Sequence, residues 1–334
     1  SIDVPRMREG GLDALFFSIW VPGDMTGPLA VRRAMALIDS VHEAVRRHPA
    51  DLVLATTAAD IRRAAASGKI AALMGMEGGH MIDDDLGLLR SYASLGIRYL
   101  TLTHSANTNW ADSSGDTPRH NGLTAFGMDV VRELNRLGVM VDVSHVADTT
   151  FYDALEVTRA PVIASHSSCR ALSNHPRNMS DDMLRALARN GGVVMINFSV
   201  GFLSEEHRVA SQKAGSSAKV FQELLKTCGN EACAILENDR RTRAAMMSGA
   251  LPRVGWETIV DHIDHAVKVA GVEHVGLGSD FDGTSLPLGM EDASMLPKLT
   301  QALLDRNYSE RDIQKILGGN ILRVMEEVEQ ARGR

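Results

Sequence analysis

The chain has 334 residues, 44% of them hydrophobic and 23% charged, with a formal net charge of −7 and a pI near 5.9. This acidic balance argues against nucleic acid or an anionic membrane surface as the main partner. No run approaches the roughly 18 apolar residues that would span a bilayer, and the chain opens abruptly on SIDVPRMREGG without a basic-then-apolar signal segment, so an export signal would lie outside these residues.

Residues 11–22, GLDALFFSIWVP, predict a buried strand ending at Pro22. Pro28 opens a helix in which Leu29, Ala30, Ala34, Leu37, Ile38, Val41 and Val45 recur at helical spacing up to about His48. DLVLATT (51–57) reads as a short strand and 60–67 as a short helix. IAALMGMEGGH (70–80) begins as a continuous apolar run, the pattern of a strand buried on both faces of a parallel sheet. It ends on Glu77, followed by Gly78, Gly79 and His80. A helix over 85–95 stops at Gly96, and 97–104 is again a strand. The polar stretch 105–123 has no periodicity, and a loop of that length is more often functional than idle.

Thr124 caps a helix ended by Gly138. Strand 138–144, helix 148–158, strand 161–166, a helix capped by Ser180 and strand 191–198 follow in alternation, as in a parallel sheet with helical crossovers. Residues 199–254, rich in Lys, Glu, Ser and Arg, interrupt the rhythm and predict an inserted helical excursion of two helices with a mobile segment near 211–217. Helix 256–270, strand 274–280 and two or three helices over 295–331 close the chain. The expected architecture is α/β: a single TIM (β/α)8 barrel domain over 1–334. Seven strands are clear; an eighth at 51–56 would complete the barrel, whereas an accessory strand there would leave the first barrel strand absent from this chain.

Five of these strands deliver a titratable group at or near the C-terminal end: Glu77, His104, His145, His166 and Asp280. That is the end at which such barrels keep their chemistry. Imidazole and carboxylate together suit zinc, and a metal lowers the pKa of its bound water to about 7. A lone strand-end histidine is more often a hydrogen-bonded core residue; the coincidence of five positions is what points to a metal hydrolase. Three cysteines make no disulfide framework, so Cys228 and Cys233 in CGNEAC are expected as free thiols, with a bridge as the alternative in an oxidising compartment.

GMEGGH (75–80), YLTLTHSANTNWADS (99–113), LNRLGVMVDVSH (134–145), APVIASHSS (160–168), PRNMSDDML (176–184) and GLGSDFDG (276–283) together resemble the renal, or membrane, dipeptidase family of zinc barrels. The opening PRMREGGLDALFFSIWVP (5–22) is also similar, so the likeness covers nearly the whole chain except 199–254. It implies Glu77 as a carboxylate bridging two zinc ions, with His145 and His166 on the second zinc. It implies His104 as the contact to the scissile carbonyl and developing oxyanion, and Arg177 as the clamp on the substrate's terminal carboxylate. Asp280 corresponds to the acid/base that takes a proton from the attacking water and returns it to the leaving nitrogen, with His80 and Asp282 as supporting groups.

The resemblance breaks at one point. The family carries a His-x-Asp pair on its first strand, completing the first zinc site, and no such pair precedes Glu77. Ser1-Ile2-Asp3 looks like the pattern, but its following residues match the loop after that strand. The expectation is therefore a first strand outside these residues, with two zincs per chain if the native protein supplies it. The implied activity is hydrolysis of dipeptides, those with a C-terminal D-residue among the candidates. Alternatives are an amidohydrolase on another small amide, ester or lactone, and a zinc-poor, non-catalytic peptide-binding barrel. A homodimer is a candidate assembly, and periplasmic or secreted placement is expected ahead of cytoplasmic.

Overall fold

A computed structural model of the chain describes residues 1–215 and 217–333. Its strands are β1 (Ala14–Trp20), β2 (Leu52–Leu54), β3 (Ile70–Glu77), β4 (Ile97–Thr101), β5 (Met140–Asp142), β6 (Ile163–Ser167), β7 (Val193–Asn197) and β8 (Val275–Gly278). The chain divides into two compact units. One comprises Leu12–Ser165, Ala186–Val193 and the segment from Gly319 on; the other comprises Ser1–Gly11, His166–Arg185 and Val194–Gly318.

In the first unit β3 is the central strand. Ile70 to Met74 and Met76 are at most 3% exposed, as expected of a parallel strand covered on both faces. β1 runs parallel along one edge, from Ala14↔Ala71 to Trp20↔Glu77. The other edge is shared. β2 pairs only with Ile70, Ala71 and Ala72, and β4 takes over from Met74 to Glu77. β2 is thus an accessory strand lying ahead of β4 on the same edge, not a stave of its own. β4 pairs with β5 and β5 with β6, all in parallel.

The helices follow the predicted stripes. Pro28–Arg47 buries Ala30, Ala34, Ile38 and Val41, and left-handed Gly96 (φ 112°) and Gly138 (φ 70°) stop the next two long helices after their last turns. The closing helix is broken. Glu310–Gln314 gives way to a kinked turn at Lys315–Gly319 before Asn320–Ala331.

In the second unit β7 and β8 pair in parallel from Val194↔Val275 to Asn197↔Gly278. The described residues of the stretch 199–254 form four helices rather than two: Val200–Leu203, Glu205–Ala214, Ser217–Cys228 and Glu231–Ser248. Side-chain caps start two of them: Ser204 Oγ accepts the His207 N–H at 3.2 Å, and Asn230 Oδ1 accepts the Cys233 N–H at 2.9 Å. Of the mobile segment expected near 211–217, residues up to 214 are helical and residue 216 lies outside the described residues. The expectation of free thiols at Cys228 and Cys233 is also overturned. Gly229 (φ 74°) and Asn230 turn the chain between two helices, setting the cysteine Cα atoms 5.6 Å apart and closing a disulfide. Asp3 is a helix cap, its carboxylate accepting the Arg6 N–H at 2.9 Å ahead of Val4–Glu9.

His262, in the helix Glu257–Ala270, is fully buried. Its Nδ1 accepts the Cys169 N–H and its Nε2–H donates to the Leu203 carbonyl, each at 3.0 Å. Burial pushes its pKa down to about 4, against the opposing pull of that carbonyl. A depressed folded value means that the neutral ring stabilises the fold fully above the unfolded pKa of 6.5, and that this stability is lost as pH falls towards 4. Between about pH 7.5 and about pH 5 its share is about 2 kcal/mol. Urea unfolding at both pH values should show His262→Asn losing that much of the parent's pH dependence; an unchanged slope would exclude the linkage.

Candidate active site

The β1–β3 register sets Trp20 opposite Glu77, and Ser18, two residues earlier, shares Trp20's face of the strand. Ser18 Oγ–H donates to Glu77 Oε2 at 2.8 Å. The other carboxylate oxygen, Oε1, lies 3.1 Å from His145 Nε2 and 3.7 Å from His104 Nε2. The two imidazole rings are 4.2 Å apart between centroids. Trp20 Nε1–H donates to His104 Nε2 at 3.1 Å, which leaves the proton of a neutral ring on Nδ1, 3.1 Å from Ser105 Oγ. A donating role for His104 Nε2 towards a substrate carbonyl therefore requires the indole N–H to move off that nitrogen.

His166 continues β6 directly after Ser165. Ligand atoms of Glu77, His145 and His166 all lie within 4.8 Å of one another. One carboxylate oxygen and two imidazole nitrogens are zinc's preferred ligand types, and the Ser18 bond to Oε2 orients the carboxylate as outer partners of metal ligands do. This donor set fits a zinc ion.

The surrounding backbone is specialised. Gly78 has φ 124°, and a Cβ there would come within 2.7 Å of the His80 ring, so the turn after Glu77 takes glycine on both counts. Burial lowers the His80 pKa, against the Val21 and Pro22 carbonyls, which favour its protonated form. His145 (φ 68°) and Asp280 (φ 58°) occupy the left-handed region, which non-glycine residues adopt uncommonly. The loop 105–123 ties two site histidines together, since Ser113 Oγ–H bonds the carbonyls of both His104 and His145. The loop is itself organised by the buried Asp112, whose carboxylate accepts N–H groups of Arg119, His120 and Gly122. Burial would raise its pKa, but those N–H groups together hold it below the usual carboxylate range.

In the second unit, Arg177 Nη2–H donates to the His166 carbonyl at 3.2 Å, Nη1 lies 3.5 Å from Ser167 Oγ, and the guanidinium sits 5.3 Å over the Phe202 ring. Asp280, two residues past β8, accepts from Asn197 Nδ2 at 3.1 Å, and Asp282 accepts the Ile2 N–H at 3.2 Å. The structure thus brings Glu77, His104, His145 and His166 together and gives Arg177 and Asp280 defined supports. His104 and His145 lie three residues beyond their strands, which end at Thr101 and Asp142. Sequence reasoning missed Ser18, Trp20, Asp142 and Asn197. The signals available were polar Ser18 within the apolar FFSIW and charged Asp142 within VMVDV.

Parallel strands alternating with helices, carrying a Glu–His–His donor set at strand ends, define an α/β protein of the TIM-barrel metal-dependent hydrolase type. The chain belongs to the membrane dipeptidase family, peptidase family M19, whose model matches residues 1–334. It is 37% identical to Dipeptidase 3 of Mus musculus over 336 residues and 38% identical to Dipeptidase 3 of Homo sapiens over 333, covering 99% and 98% of this chain. The chain spans 58% of the length of either relative. Among solved structures it resembles a dipeptidase of the same family, with 29% identity and a TM-score of 0.81 over 100% of this chain and 90% of that one. It also resembles a metallopeptidase from Rhodobacter sphaeroides liganded with a phosphinate mimic of L-Ala-D-Ala, with 28% identity and a TM-score of 0.80 over 98% of this chain and 90% of that one.

Proposed function

We propose that this chain carries the catalytic site of a zinc-dependent dipeptidase. The observation that carries the reading is the convergence of Glu77, His145 and His166 within ligand distance; family membership supports the reaction class. Bound there, zinc would supply a Lewis acid and an activated water. Asp280, held by Asn197, takes the proton of the attacking water and returns it to the leaving nitrogen. Arg177 pairs with the substrate's terminal carboxylate and so favours short peptides. His104, or the Trp20 N–H that shares its Nε2, contacts the scissile carbonyl. The R. sphaeroides relative's ligand supports dipeptides with a C-terminal D-residue as substrates. The Cys228–Cys233 bridge supports an oxidising compartment; no described helix is long and apolar enough to cross a membrane.

Elemental analysis of the dialysed protein, paired with hydrolysis of L-Ala-D-Ala and L-Ala-L-Ala, tests this. Expected are bound zinc, release of free alanine, loss of activity on chelation and its return with added zinc. A folded chain that binds no zinc and releases no alanine would overturn the proposal.

A further inference from the structure

Asp142, the last residue of β5, is 0% exposed. Its Oδ2 accepts the Thr101 and Ser165 hydroxyls at 2.5 and 2.6 Å, and its Oδ1 accepts the Ser144 and Ser165 N–H groups at 3.0 and 2.9 Å. The four donors are neutral and come from β4, from the turn after β5 and from β6. Sinking a carboxylate among neutral donors carries a desolvation cost, which strand pairing alone does not explain, because an apolar residue at the end of β5 would pair equally well.

The carboxylate's position suggests what offsets that cost. Ser144 immediately precedes His145, and Ser165 immediately precedes His166. One rigid group therefore grips the backbone one residue ahead of each imidazole, and on the His145 side the grip comes just before a left-handed residue (φ 68°) that needs support. Thr101, bonded to the same carboxylate, ends the strand that leads to His104.

We infer that Asp142 is a positioning residue, setting the separation of His145 and His166 so that both nitrogens reach one cation. This rests on the reading of the site as a zinc site. Outer residues that orient metal ligands change metal affinity by about 10–100-fold when altered.

Zinc affinity is to be measured by competition with a chromophoric chelator for the parent, Asp142→Asn, Ser165→Ala and Val141→Ala, with circular dichroism and metal-free thermal midpoints alongside. Val141 is a buried neighbour in the same strand and serves as the purely structural control. Asp142→Asn should weaken zinc binding at least about tenfold and Ser165→Ala by less, while Val141→Ala lowers the midpoint yet holds affinity within about twofold. The inference fails if Asp142→Asn binds zinc as the parent does, or if Val141→Ala weakens binding equally. Should Asp142→Asn not fold, parent-like affinity in Ser165→Ala overturns it. A parent that binds no zinc would instead remove the metal-site reading itself, and the inference with it.

Discussion

Glu77→Gln should remove zinc from the dialysed protein and lower kcat/KM on dipeptides by about a thousandfold or more. The amide matches the carboxylate in shape and can still accept the Ser18 hydroxyl bond on its oxygen, so the fold should persist. What is lost is the anionic charge facing His145 Nε2 at 3.1 Å, and with it a ligand that a dication needs. Several kcal/mol of transition-state stabilisation depend on the metal, and each 1.4 kcal/mol or so is tenfold in rate. Elemental analysis and steady-state kinetics on the same preparation read both effects. A variant that holds zinc and stays within about tenfold of the parent's rate would show that Glu77 is no ligand.

Arg177→Met should lower kcat/KM on dipeptides about 100-fold, as expected for losing a charge-assisted bond to a carboxylate. The guanidinium already rests on the His166 carbonyl and over Phe202, so its plane is fixed before substrate arrives. Methionine occupies the space of the stem with little loss of packing. The diagnostic comparison is with a dipeptide amide, which lacks the terminal carboxylate and should be affected far less. Equal losses on acid and amide would reassign Arg177 to supporting the end of β6. They would also favour an amidohydrolase acting on substrates without a carboxylate.

The parts of the fold that were legible beforehand share a scale. Thr124, Gly96 and Gly138 mark helix ends through bonds that reach no more than about four residues. The apolar run of β3 announces its own burial, and polar residues at the ends of such runs pointed to Glu77, His104, His145, His166 and Asp280. The family resemblance singled out Glu77, His145 and His166 as metal ligands, and the structure sets ligand atoms of these three within 4.8 Å of one another. Within 199–254 the pattern gave two helices where the described residues form four, and side-chain caps at Ser204 and Asn230 define the starts of two of them.

Sequence alone determined which strands lead to titratable groups, because alternating pattern and chain order are local properties. Tertiary structure decided the rest. It made β2 an accessory to β3, set Ser18 against Glu77 across 59 residues and Trp20 against His104 across 84, closed the Cys228–Cys233 bridge, and put Asp142 beneath two histidines. Apart from the short cysteine loop and the Asp142–Ser144 turn, these pairings join residues distant in the chain. Their partners are chosen by register and packing between elements, which no local rule encodes.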